Sequence, residues 1–368
     1  MRVLLLANIN SPHIHRWISG LTSKGIHLYL FSYDIPETSS VSFLESLNVE
    51  YKIIVVQGLV NPIRKWIRFI QCISTLREIT KTFQPDIVHA HYIYNYGFLG
   101  AISMVKNLII SVWGTDILIH PYENTLKRLL IKFSLKRALF ICSTSNYLRD
   151  AVFSLSKRTS LVIPFGIDTN LFKPIDISIP THQNFITIGT VKWLEEIYGI
   201  DILIRAYHLF KTMYPSLGTR LLIVGKGSQK AVLESLVNQF ELTGQVTFID
   251  NPKTQDIWKY HNMIDIFVNL SRSESFGVSV LESSACGKPI IASRIGGLKE
   301  LIVEGVNGVL VESENIREAA EAIHSLTVDP VRRHKMGTAG RRRVLEKYEW
   351  ESSLVQMTNL YYSVPKRP

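Results

Sequence analysis

The sequence predicts an α/β protein made of two doubly wound, Rossmann-like domains, and three observations predict it. Short apolar runs alternate with longer helix-like patterns from end to end, as parallel βαβ units require. The alternation comes in two series of similar length, one for each sheet. Between them, residues 172–184 (FKPIDISIPTHQN) carry two prolines and no sustained periodicity, as a domain boundary does.

The strand-like runs of the first series are 3–7, 27–31, 53–56, 87–90, 108–112, 139–142 and 161–163. The opening MRVLLLANINSPH has too short an apolar core for a signal peptide and no small-residue cleavage site, so it reads as a buried first strand. In the loop after it, Asn10, Ser11 and His13 can face a ligand. Ser11 before Pro12 also reads as a helix N-cap followed by the first helical position. His89 and His91 end the fourth run. They are read as facing opposite sides of the strand, with His91 toward the ligand. Asp116, just past the fifth run, is a candidate contact for an acceptor or a sugar. The second series is 185–189, 221–224, 246–249, 266–270, 290–292 and 309–311. The tail, 348–364, is helical, with apolar positions at Trp350, Leu354, Met357, Leu360 and Tyr361.

With 368 residues, 46% of them hydrophobic, the chain is long enough for two real cores. Charged residues make up 20%, and no low-complexity tract suggests disorder. Cys72, Cys142 and Cys286 are isolated and odd in number, which points to a reduced, cytoplasmic protein with no metal site. No apolar run reaches the ~18 residues of a membrane span. The net charge is +10. Part of it lies in Arg64-Lys65-Trp66-Ile67-Arg68 and in Lys127-Arg128, Lys132 and Lys136-Arg137, interleaved with leucine and phenylalanine. Basic amphipathic helices of this kind suit an anionic membrane surface, reached from the cytoplasmic side; the plain alternative is a solvated helix face. A third basic cluster, 332–343, is less apolar. No stacking-aromatic motif or Cys/His finger supports nucleic acid as a partner.

The most informative stretch is IDIFVNLSRSESFGVSVLESSACGKPIIAS, which reads as strand, loop, helix, strand. The helix spans about 277–286, stops at Gly287, and Pro289 opens the next strand. In doubly wound sheets ligands bind at the carboxyl ends of strands, and with two sheets the natural site is a cleft between domains. Glu274 falls in such a strand-end loop. The amides of Phe276, Gly277 and Val278 are first-turn donors, and the helix dipole favours phosphate there. A carboxylate beside a phosphate site can accept hydrogen bonds from sugar hydroxyls. A second one a turn inside the helix, Glu282, can take the paired hydroxyls of a ribose.

Two glutamates at this spacing are common by chance, but their surroundings are not. The segment resembles the Glu-x7-Glu motif of family-4 retaining glycosyltransferases of the GT-B fold, also called group 1 glycosyltransferases. Val162-Ile163-Pro164-Phe165-Gly166-Ile167-Asp168, with Phe172 and Pro174, resembles the family's interdomain signature. Gly296-Gly297-Leu298-Lys299-Glu300 and the turn from Gly305 to Gly308 resemble its following glycine turns. Asp86-Ile87-Val88-His89-Ala90-His91 and Trp113-Gly114-Thr115-Asp116 resemble strand ends of its first domain. The resemblance covers almost the whole chain. It implies an acceptor-binding domain over 1–178, a nucleotide-sugar-binding domain over 179–349, and a last helix, 350–368, crossing back onto the first domain.

It also implies roles. A nucleotide-diphosphate sugar is the co-substrate, with no cofactor or metal, and a glycan or lipid-linked hydroxyl is the acceptor. Glu274 holds the donor sugar and Glu282 the ribose. The diphosphate sits on the Phe276–Gly277–Val278 amides and on Lys192, in the loop after the strand that carries Gly189, itself expected among the donor-binding residues. The family's second phosphate cation has no match, because Ile197 or Tyr198 stands there; Arg272 or Lys226 are candidates to replace it. The loop Gly225-Lys226-Gly227 lines the donor site. The family's histidine before Gly114 is Trp113 here, so no histidine role transfers to that position. Asn10, His13 and His91 remain on the acceptor side. Transfer with retention, in cell-surface polysaccharide or lipid-linked glycan synthesis, is the expected function. The competing readings are a nucleotide-sugar epimerase or hydrolase of the same fold, and a non-catalytic sugar-nucleotide binder.

Overall fold

The computed structural model describes residues 1–365, apart from 57, 59 and 176–184. Two parallel sheets account for its thirteen named strands. The first contains β1 (Arg2–Leu6), β2 (His27–Ser32), β3 (Glu50–Ile53), β4 (Ile87–His91), β5 (Leu108–Val112), β6 (Phe140–Ser143) and β7 (Leu161–Val162), in the order β3-β2-β1-β4-β5-β6-β7. The second contains β8 (Ile186–Val191), β9 (Thr219–Val224), β10 (Val246–Ile249), β11 (Ile266–Asn269), β12 (Ile290–Ser293) and β13 (Gly308–Val311), in the order β10-β9-β8-β11-β12-β13.

Both orders reverse direction once, between β1 and β4 and between β8 and β11. At such a switch point the loops leaving the two central strands diverge and open a crevice. The loops after β1 and β4, and those after β8 and β11, are therefore where each sheet can hold a ligand.

The central strands are apolar on both faces because helices cover both. Leu4, Leu6, Val88, Ala90 and Ile110 pack with Cys72 and Leu76 of helix Pro62–Thr82. Ile188, Leu221, Ile266 and Ile291 pack with Leu203, Tyr207 and Phe210 of helix Ile200–Met213. The third strand alone departs from its expected place, residues 53–56. Ile54 and Val56 are buried and still donate to Ser32 O and Tyr33 O at 3.0 Å, but β2 ends at Ser32, so the paired segment is the mixed-polarity Glu50–Ile53. An edge strand with one wet face carries no continuous apolar run.

The chain divides into two compact units, Met1–Phe165 with the tail from Ser353, and Gly166–Ser352. The expected boundary at 178 lies outside the described residues. The division falls earlier because the segment after Phe165 packs onto the C-terminal unit. Ile167 bridges to Glu349, and Asn262 accepts from the Ile175 amide at 2.9 Å and donates to Lys173 O at 3.1 Å. The last helix, Trp350–Ser363, sends Tyr361 into the N-terminal core, where its hydroxyl meets His89 Nδ1 at 2.6 Å. All three cysteines are free and buried.

Candidate functional site

In the C-terminal unit the loop after β8 carries Lys192, and the loop after β11 carries Glu274. The two side chains form an ion pair in which each is only about a tenth exposed, at 10% and 11%. The Lys192 ammonium also lies 4.6 Å from the centroid of the Tyr198 ring. The aromatic residue that stands in place of a second cation thus holds the first one by a cation–π contact.

Glycines fix both loops. A Cβ on Gly225 would come within 1.7 Å of Lys192 O, and one on Gly227 within 2.3 Å of Leu194 O. That closeness lets Lys192 N donate to Val224 O at 2.9 Å and Leu194 N to Lys226 O at 2.8 Å. The loop 192–194 is thereby zipped to the Gly225-Lys226-Gly227 turn. On the other side Gly297 N donates to Glu274 O at 3.0 Å, and a Cβ there would come 2.4 Å from Ser275 O. The Gly296-Gly297 turn therefore clamps the Glu274 loop.

Helix Val278–Ala285 starts from Gly277, whose φ of +102° suits glycine, with Phe276 buried just before it. Gly277 and Val278 head the helix, where first-turn amides have no intrahelical acceptor. Glu282, one turn in, is half-buried and lies 3.3 Å from Nε2 of His261, which is completely buried. Nothing in IWKYHNM marks His261 as a partner of a glutamate 21 residues on.

Other expectations for this unit are corrected. Gly189 is not in a ligand loop. It lies inside β8, paired with Leu222 and Phe267, and a Cβ there would come 2.7 Å from Leu222 O and 2.8 Å from Ile264. Arg272 cannot serve as the second cation. Its guanidinium makes a bidentate pair with Asp201 at 2.9 and 2.8 Å, and Nε donates to Glu314 at 2.9 Å. Lys226 is not so committed; its ammonium lies 5.3 Å from the Trp193 ring centroid.

In the N-terminal unit the polar strand-end residues serve the backbone. Asp116, expected to contact an acceptor or sugar, is fully buried. Its carboxylate accepts from the amides of Ile93 (3.0 Å), Trp113 (3.0 Å) and Gly114 (2.8 Å). Burial raises its pKa, partly offset by those amides. Asn10 braces the loop after β2, donating to Ile35 O at 2.8 Å and accepting from Glu37 N at 2.9 Å. Ser11 precedes helix Pro12–Ser23 as its cap residue, but its side chain makes no capping bond. His13 is half-buried, stacked on Phe165 at 4.3 Å and edge-on to Trp113 at 5.9 Å.

His89 and His91 do not face opposite sides. Residues i and i+2 of a strand share a face, and their rings lie 4.1 Å apart. Both are buried. His89 is satisfied by Tyr361 and by Ser111 at 2.8 Å, whereas neither nitrogen of His91 has a partner. Burial lowers the pKa of His91 to about 3, so it stays neutral.

Among the described residues no group of three or more His, Cys, Asp and Glu side chains could hold a metal ion, and no helix is long and apolar enough to cross a membrane. Two doubly wound units, one with a lysine–glutamate pair and a second glutamate at a helix start beside its switch point, give the chain the two-domain GT-B architecture.

Comparison with known proteins gives the family. Residues 174–343 match the family described as glycosyl transferases group 1, and residues 2–145 match that described as glycosyl transferase 4-like. The chain belongs to the group 1 glycosyltransferases, and it is an enzyme of that class. It is 26% identical over 359 residues to the glycosyltransferase MJ1178 of Methanocaldococcus jannaschii, covering 95% of this chain and 93% of that one. It is 25% identical over 307 residues to N-acetyl-alpha-D-glucosaminyl L-malate synthase of Bacillus anthracis, covering 79% and 78%. Its fold matches Anabaena HepE, solved in complex with UDP-glucose, with a TM-score of 0.82 at 20% identity over 99% of this chain and 100% of that one.

Proposed function

We propose that the enzyme transfers a sugar from a nucleoside-diphosphate sugar to a hydroxyl acceptor, with retention and without a metal. The observation that carries this is the placement of Lys192, Glu274 and Glu282 on the two loops and the helix start beside the switch point of one sheet. HepE, a protein of the same fold, binds UDP-glucose, which favours a donor of that chemical class. The C-terminal unit takes the donor, its diphosphate on the Gly277 and Val278 amides and on Lys192. As the bond from the anomeric carbon to phosphate breaks, charge grows on the diphosphate. A preorganised cation and helix-start amides stabilise that charge in the transition state. Glu274 holds the donor sugar and Glu282 the ribose. The acceptor oxygen, from the N-terminal unit, bonds to the anomeric carbon on the face the diphosphate leaves, and a diphosphate oxygen takes its proton.

In the test, purified enzyme turns over UDP-sugars with a glycan or lipid-linked acceptor of cell-surface synthesis. Lys192→Ala and Glu274→Gln each lower kcat/KM about 10²–10³-fold, and a chelator leaves the rate unchanged. Full activity in both variants would sink the assignment. NMR of donor incubated without acceptor separates the rivals: an epimer marks an epimerase, free sugar a hydrolase, and no change with retained binding a non-catalytic binder.

Peripheral attachment to an anionic membrane belongs to the same proposal. Its support is the pair of basic helices, Pro62–Thr82 and Thr125–Arg137, which expose Trp66, Ile67, Leu126 and Leu129.

A further inference from the structure

The N-terminal unit holds an open groove of about 410 Å³ that the donor chemistry does not use. Its walls are Trp66 and Phe69 of helix Pro62–Thr82, Phe98, Leu130 of helix Thr125–Arg137, and Tyr33, which follows β2. The rings are ordered: Phe69 and Phe98 stack at 5.9 Å and 6°, Trp66 stands edge-on to Phe69 at 6.2 Å, and Tyr33 stacks on Tyr96 at 4.3 Å. A sugar in such a groove would find few hydrogen-bond partners, and hydroxyls buried without them cost about 1–3 kcal/mol each.

Two further features decide the occupant. Helix Pro62–Thr82 exposes Ile63, Trp66, Ile67 and Ile70, an i, i+3, i+4, i+7 stripe, and helix Thr125–Arg137 exposes Leu126, Leu129 and Phe133 with the same period. The cations Arg64, Lys65 and Arg68 lie on the first helix and Lys127, Arg128 and Lys132 on the second. The second contains no acid, and the first none before Glu78. The groove also takes Tyr33 and Tyr94 from the segments that follow β2 and β4. That is the carboxyl edge of the sheet, where doubly wound domains bind their ligands.

We infer that this groove is the seat for the hydrocarbon tail of an anionic, lipid-linked acceptor, with Lys65 at its rim meeting the phosphate of the head. The inference rests on the transferase reading, in which the N-terminal unit takes the acceptor. A tail held here presents its head at the sheet edge rather than at the bulk bilayer.

The test uses dodecyl phosphate below its micelle-forming concentration and the full chain without donor, read by titration calorimetry. Saturable one-to-one binding is expected, tightening about fourfold for each methylene added from butyl to dodecyl phosphate. Trp66→Ala and Leu130→Glu each weaken it at least tenfold. Trp66 is 66% exposed, so that variant keeps the fold even if Leu130→Glu does not. Glu274→Gln should bind dodecyl phosphate like the parent enzyme, which separates failure of this inference from failure of the donor assignment. Absence of saturable binding, an affinity indifferent to chain length, or binding unchanged in Trp66→Ala overturns the inference. So does binding to phosphatidylglycerol vesicles without binding of the monomeric amphiphile, which would make the face a bilayer dock only.

Discussion

The two units use the polar residues near their strand ends in opposite ways. In the C-terminal unit Lys192, past β8, pairs with Glu274, past β11, and Glu282 pairs with His261 of helix Ile257–Met263, just before β11. Glycine turns hold their backbones, so the side chains meet one another rather than the main chain. In the N-terminal unit the polar residues past β1 and β5 hold the backbone themselves. Asp116 gathers three amides, and Asn10 ties down the loop after β2. A loop built on glycines frees its charges, whereas a loop built on a carboxylate consumes it. In the proposed function the donor unit is therefore the charged one, and the acceptor unit the aromatic and apolar one.

The largest effect that would break this contrast is at Asp116. Asp116→Ala leaves three amides without their acceptor, and about 3–4 kcal/mol of stability should be lost in denaturant unfolding. If the variant unfolds like the parent chain but no longer transfers sugar, Asp116 touches substrate and the contrast fails.

His91 gives the next largest effect, through pH. Its pKa falls from the ordinary 6.5 to about 3 in the fold because burial excludes the charged form. Below about pH 6.5 the unfolded chain binds a proton that the folded chain does not. The contribution to stability is therefore complete above that pH and is lost as pH falls toward 3, at up to about 1.4 kcal/mol per pH unit. In His91→Phe the slope of urea stability between pH 6 and 4 should flatten by about one proton. An unchanged slope would show that His91 titrates normally.

Much of this could be read in the sequence, and the failures have physical causes. Buried parallel strands are continuous apolar runs, so the strands showed themselves, except for the edge strand Glu50–Ile53 with its wet face. The loop that carries Glu274 was legible as a loop because strand, loop, glycine and helix follow one another in one stretch. Asp116 was read as available because its bonds to Ile93, 23 residues away, and to the nearby Trp113 and Gly114 amides depend on how its loop folds; Asn10 likewise meets Ile35 and Glu37, over 20 residues on. Arg272 looked available for the same reason, since Asp201 lies 71 positions upstream. The His89–His91 error was one of parity: two steps along a strand return to the same face.

The smallest and most discriminating effect concerns His261. It is buried between Phe172, at 5.8 Å, and Phe267, at 5.5 Å, and its Nδ1 has no partner. The proton therefore belongs on Nε2, where it is donated to Glu282. In the proposed function His261 touches no substrate; it is a positioning residue that fixes the rotamer of Glu282, the carboxylate proposed to hold ribose. In His261→Phe that carboxylate gains freedom, which ribose binding must then remove. Hydrogen bonds to charged groups contribute about 1.5–3 kcal/mol, so the donor KM should rise about 10- to 150-fold. Ribose is held alike in ground and transition states, so kcat and the acceptor KM should move little. His261→Gln, which can still donate, should recover part of the donor KM. A purely packing role would instead lower the melting temperature in both variants with the donor KM unchanged, and that result would remove His261 from the site.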